Sequence, residues 1–70
     1  MSTVIQIVVN GETREVPVGL HVPGLLTHLG LPADRVAIER NLEILPRAQW
    51  PATAVEHGDR LEIVHMVGGG

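Results

Sequence analysis

The sequence has no cysteine, which excludes a disulfide framework, a Cys-based zinc site and a thiol nucleophile. It has no lysine either. The cationic side chains are Arg14, Arg35, Arg40, Arg47 and Arg60, so there is no lysine amine for Schiff-base chemistry or for conjugation onto itself. Phe and Tyr are missing and Trp50 is the single aromatic residue, so the core is aliphatic, with Trp50 expected as a packing anchor. No stretch approaches the ~20 apolar residues of a membrane span. The formal net charge of −3 lacks the basic face that phosphate binding needs, so neither nucleic acid nor a membrane is an expected partner. His21, His28, His57 and His65 lie in four separate segments without paired ligand spacing, and no metal site is expected. The carboxylates, among them Glu12, Glu15, Glu39, Glu43, Glu56 and Glu62, contain no evident acid/base couple and read as a solvated acidic surface. The chain therefore does not read as an enzyme.

What is present is a 70-residue chain that is 44% hydrophobic, mostly Val, Leu and Ile. That composition argues for one folded domain with a small core rather than for disorder. Met1-Ser2-Thr3 leads directly into an apolar run with no basic segment before it, so the expected compartment is the cytoplasm.

The turn chemistry divides the chain clearly. Val4–Val9 is a β-branched run, followed at once by Asn10-Gly11, a dipeptide suited to a type I′ hairpin turn. Residues 12–18 return as a second strand, and Pro17 marks an edge or an end because it cannot donate to a ladder. Pro23 sits where a helix can begin, Leu25, Leu26 and Leu29 form one apolar stripe, and Gly30 with Pro32 stops it. Val36–Arg40 is a third strand; Asn41-Leu42 turns it into a brief fourth at residues 43–45. Residues 46–51 read as a turn, residues 53–59 as a loop, and residues 61–67 as the last strand.

The expected fold is α+β: a mixed sheet of about five strands in the order β-β-α-β-β-β, packed on one short helix. The last strand is expected in the middle of the sheet, parallel to the first. This is the ubiquitin-like β-grasp arrangement. The domain would occupy residues 1–67 and a mobile tail, Gly68-Gly69-Gly70, residues 68–70. Along the last strand Leu61 and Ile63 point one way, and Glu62, Val64 and Met66 the other. Met66 is expected on a partner surface; Val64 suits either that surface or a strand covered on both faces by its own domain. The candidate partner set is Met66, Val67, Val64 and His65.

Four segments carry a resemblance: Val36-Ala37-Ile38-Glu39-Arg40-Asn41, Ile44-Leu45-Pro46-Arg47-Ala48-Gln49-Trp50, Gly58-Asp59-Arg60-Leu61-Glu62-Ile63-Val64 and Val67-Gly68-Gly69-Gly70. With Asn10-Gly11, these make the chain similar to the thiamine-biosynthesis sulfur carriers of the ThiS family, over essentially its whole length. Leu42 departs from the family's usual Gly after Asn. The resemblance implies a protein that is a covalently modified co-substrate. The carboxylate of Gly70 would be adenylated and converted to a thiocarboxylate that donates sulfur to thiazole synthase. Gly68 and Gly69 would thread the partner's channel. It implies no permanently bound cofactor; ATP and Mg would be used by the adenylating enzyme. Two other readings stand beside it: a carrier of another pathway, such as the small subunit of molybdopterin synthase, and a non-covalent β-grasp adaptor. The segment from Pro46-Arg47 to Trp50 points to the first reading.

Overall fold

The computed structural model describes residues 3–66. Val67 and the three terminal glycines lie outside the described residues, and so does the expected boundary between domain and tail. Five strands form one mixed sheet: β1 (Val4–Val9), β2 (Glu12–Pro17), β3 (Val36–Arg40), β4 (Glu43–Ile44) and β5 (Arg60–His65), in the spatial order β2-β1-β5-β3-β4. One helix, α1 (Val22–Leu29), and two 3-10 helices, Ala33–Arg35 and Arg47–Ala52, complete the fold.

β1 and β2 pair antiparallel through the Asn10-Gly11 turn, whose φ values of 51° and 81° are those the type I′ geometry requires. β2 is an edge strand and ends on Pro17, as the missing N–H dictates. The β3 to β4 connection repeats the same geometry: Asn41 has φ 51° and Leu42 φ 73°. The departure at Leu42 therefore leaves the turn intact and instead holds a leucine in the left-handed region. Leu42 is 89% exposed, so no packing offsets that strain. Leu42→Gly is expected to stabilise the domain by about 0.5–1 kcal/mol, read as a melting point raised by roughly 4 °C.

α1 starts at Val22, one residue before the expected Pro23. Its first turn has no side-chain cap; the Val22 N–H donates instead to Thr53 O, and just before the helix Leu20 O accepts the Val55 N–H. Its end is a Schellman arrangement. Gly30, at φ 73°, donates to Thr27 O, and Leu31 donates to Leu26 O. The turn expected at residues 46–51 is the 3-10 helix Arg47–Ala52. The last strand starts at Arg60, one residue before the expected Leu61, and ends at His65, short of Met66; β4 has two residues rather than three.

The core lies between α1 and one sheet face. It is built from Ile7, Val9, Val16, Val22, Leu25, Leu26, Val36, Ile38, Leu61 and Ile63, closed at one side by Trp50 and Val55. Trp50 is a packing anchor, as expected, and its indole N–H donates to Leu45 O at 3.1 Å. Among the described residues, no helix is long and apolar enough to cross a membrane. Among the described residues, the helix covers one face of the sheet and leaves Glu62 and Val64 exposed on the other.

Candidate functional site

The candidate site is the exit of β5. This strand lies between β1, to which it is parallel, and β3, to which it is antiparallel. Both expectations for it hold: a central place and a parallel first strand. It is gripped on both edges by side chains as well as by the ladders. On one edge, the Asn10 side chain continues the ladder that β1 has left. Its Nδ2 donates to Ile63 O at 3.0 Å, and its Oδ1 accepts the Ile63 N–H at 2.8 Å. On the other edge, Asn41 accepts the Arg60 N–H on its Oδ1 at 2.9 Å, while its own N–H donates to Arg60 O at 2.8 Å. The two asparagines that open the type I′ turns thus have a second task. Each tolerates a left-handed φ and also presents an amide that mimics a strand backbone.

Removing the first clamp has a defined consequence. Asn10→Gly keeps the backbone geometry and deletes both amide bonds to Ile63. The expected loss is about 1–2 kcal/mol, with the Ile63 amide exchanging hydrogen faster than those of β1. Hydrogen-exchange mass spectrometry or NMR would check both.

Asp59, at the turn into β5, is buried, and four donors converge on it. Arg40 binds it through two nitrogens, Nε to Oδ2 at 3.1 Å and Nη2 to Oδ1 at 3.3 Å. Asn41 Nδ2 donates to Oδ1 at 3.3 Å, and the Glu56 N–H to Oδ2 at 2.9 Å. Just past the far end of β5, the Met66 N–H donates to Arg35 O at 2.7 Å. The Arg35 segment is itself fixed by Arg47. This guanidinium donates to Ala33 O and to Val36 O and stacks 4.4 Å from the Trp50 ring centroid. The Pro46-Arg47 to Trp50 segment thus acts as a buckle on the chain that receives the end of β5.

Of the candidate partner residues, Val64 and Met66 stand on the uncovered sheet face, 57% and 49% exposed. Val64 is therefore not covered by its own domain. His65 is also exposed, but strand alternation puts it on the opposite pleat from Val64 and Met66. Val67, Gly68, Gly69 and Gly70 lie outside the described residues. The structure adds members that the reading along the chain did not group with this surface. Ala37 is directly opposite Val64 across the β3 and β5 pair, and Ile44, 81% exposed, is opposite Glu39 across β3 and β4. The antiparallel register of β3 and β5 is the signal that would have found Ala37.

A five-stranded mixed sheet with its last strand central and parallel to the first, carrying one helix on a single face, defines a ubiquitin-like β-grasp domain. The candidate site is at the end of that central strand. The ThiS family model matches residues 7–70, and the chain belongs to the ThiS family. It is 46% identical over 66 residues to a thiazole synthase of Paramagnetospirillum magneticum, covering 94% of this chain and 20% of that one. The chain spans about a fifth of the length of the first curated relatives it matches. It is also 30% identical to the sulfur carrier protein ThiS of Escherichia coli strain K12, over 94% of this chain and 100% of the relative. Among solved structures, the thiamine biosynthesis protein ThiS of Geobacter metallireducens superposes with a TM-score of 0.81 at 36% identity, covering 94% and 100% of the two chains.

Proposed function

We propose that this chain is a sulfur carrier of thiamine biosynthesis and that the carboxylate of Gly70 is its reacting group. A carboxylate is a poor acyl donor because attack on it must expel an oxide. Adenylation by a separate activating enzyme, with ATP and Mg, releases pyrophosphate and leaves AMP as a good leaving group. The terminal sulfur of a persulfide then attacks the carbonyl and expels AMP, forming an acyl disulfide. A thiol reduces that disulfide and frees the thiocarboxylate, which passes its sulfur to thiazole synthase. The chain itself holds no cofactor in this scheme and acts as co-substrate, in the cytoplasm. Gly68 and Gly69 have no Cβ and suit a narrow channel in extended form.

The observation that carries this reading is the family match, which runs through β5 and onward to Gly70. The grip on β5 supports it: Asp59 and Asn41 at its start, Asn10 in its middle and the Arg35 carbonyl at its end give the strand one fixed direction. The similarity to segments of thiazole synthases favours the thiamine pathway over molybdopterin synthesis and over a purely non-covalent adaptor.

Incubation with the activating enzyme, ATP, Mg and a persulfide donor, followed by intact mass measurement, tests it. The expected result is a mass gain equal to replacing one oxygen by sulfur. An active enzyme that leaves the mass unchanged would overturn the reading. Formation of the thiazole ring from the charged protein, in a reconstituted assay, identifies the pathway.

A further inference from the structure

The uncovered sheet face carries an unresolved electrostatic conflict. The antiparallel register of β3 and β5 sets Glu39 directly opposite Glu62. Both side chains stand on the face away from α1, since their strand neighbours Ile38 and Ile63 are buried on the other. Like charges directly opposite on neighbouring strands destabilise a sheet. Neither acidic side chain has an ion-pair or hydrogen-bond partner among the described residues, whose ion pairs use Arg14 and Arg40.

Toward the end of β5 the surroundings of this pair are apolar; on the other side the exposed Arg60 lines a depression with both acids, outside ion-pair distance of either. Ile44 flanks Glu39 on the β4 side, and Ala37 and Val64 form the next cross-strand row toward the end of β5. Together they line a depression of about 270 Å³ whose walls are Ala37, Ile38, Ile44 and Val64, with Glu39 and Glu62 completing it. A neighbouring depression shares Ala37, Ile38 and Ile44 and continues to Met66, so the surface reaches the strand's exit. Aliphatic walls beside two acidic groups suit a long alkyl stem ending in a cation. A guanidinium suits it better than an ammonium, because its planar fork has donors for two carboxylates at once.

Resting on the function proposed above, we infer that this depression receives an arginine side chain of thiazole synthase, seated between Glu39 and Glu62. The complementarity of charge argues for a basic occupant. Thiazole synthase is the partner chosen because relatives bearing that name contain a segment similar to this domain within their own chain. The seated arginine would replace repulsion within the domain by attraction across the interface. Contact at this face, beside the end of β5, would aim the tail.

The test is calorimetric titration of the uncharged carrier into thiazole synthase at low and high salt. Three forms are compared: wild type, E39Q/E62Q, and E12Q/E15Q, which removes the same charge from β2. For E39Q/E62Q the expected result is about tenfold weaker binding at low salt, with the gap shrinking as salt rises. The same variant should melt no lower than wild type, because the internal repulsion is gone; this excludes misfolding as the cause. E12Q/E15Q should bind within about twofold of wild type, as a change at an exposed rim does.

Unchanged affinity for E39Q/E62Q, or an equal loss for E12Q/E15Q, would overturn the inference. So would a loss confined to the activating enzyme, or a change in self-association seen by sedimentation as the main effect. These outcomes are separate from failure of the functional reading. A carrier that gains sulfur normally yet binds thiazole synthase independently of Glu39 and Glu62 refutes only this site. A carrier that never gains sulfur refutes the function.

Discussion

Asp59→Ala is expected to destabilise the domain by about 3 kcal/mol, the scale seen when one partner of a buried ion pair is removed. A chain of this length has a total stability of about 4–10 kcal/mol, so the variant would populate unfolded molecules readily. The size follows from what loses its partner. Arg40 would remain at the edge of the core without its bidentate carboxylate, and the Glu56 N–H and the Asn41 amide would each lose an acceptor. Among the described residues, Arg40 would retain its 3.6 Å contact to the exposed Glu56 carboxylate, a poor substitute in high dielectric. Asp59→Asn keeps one acceptor oxygen and should lose about half as much. Urea unfolding followed by the fluorescence of the buried Trp50 measures both, and a loss below 1 kcal/mol for Asp59→Ala would contradict the account.

Deleting Gly70 is expected to lower thiocarboxylate formation about 100-fold or more while leaving the unfolding midpoint unchanged. The variant still ends in a glycine carboxylate, so the chemistry of the terminal group is the same. What changes is reach, by roughly 3.3–3.6 Å per residue of extended chain. The domain cannot compensate by sliding β5 outward. A slip would break the Met66 bond to Arg35 and both bonds between Asn10 and Ile63. It would also shift the five residue pairs between β3 and β5, and a one-residue slip turns Leu61 and Ile63 out of the core. Intact mass against time, at equal enzyme, provides the rate. A deletion that reacts at the wild-type rate would show that the carboxylate's position is not what the activating enzyme reads.

Much of this architecture is legible along the chain because its signals are local. Asn10-Gly11 and Asn41-Leu42 turn the chain, and Gly30 stops the helix with the φ of 73° that glycine tolerates. The alternation of Leu61, Glu62, Ile63 and Val64 separates two faces, and the structure buries Leu61 and Ile63 as expected. The small shifts at strand ends, such as β5 starting at Arg60, come from bonds to distant residues; here the Asn41 amide draws Arg60 into the ladder. Other features had no local signal. Asn10 reads as a turn residue, and nothing near it in sequence announces a bond to Ile63, 53 residues away. Asp59 reads as part of a turn, and its burial depends on Arg40 arriving from β3. Glu39 and Glu62 read as solvated acids until the register places them face to face.

The sequence by itself determined the segmentation into strands and helix, the aliphatic character of the core and the absence of thiol and lysine amine side chains. Those are properties of residue types and short spacings. Only the tertiary structure decided which side chains grip the last strand, which apolar residues gather beside its end and which acids oppose one another. The physical reason is that β5 takes its neighbours from β1 and β3, far away in the chain. Pairing register across such distances is set by the burial of a whole face, which no local pattern contains.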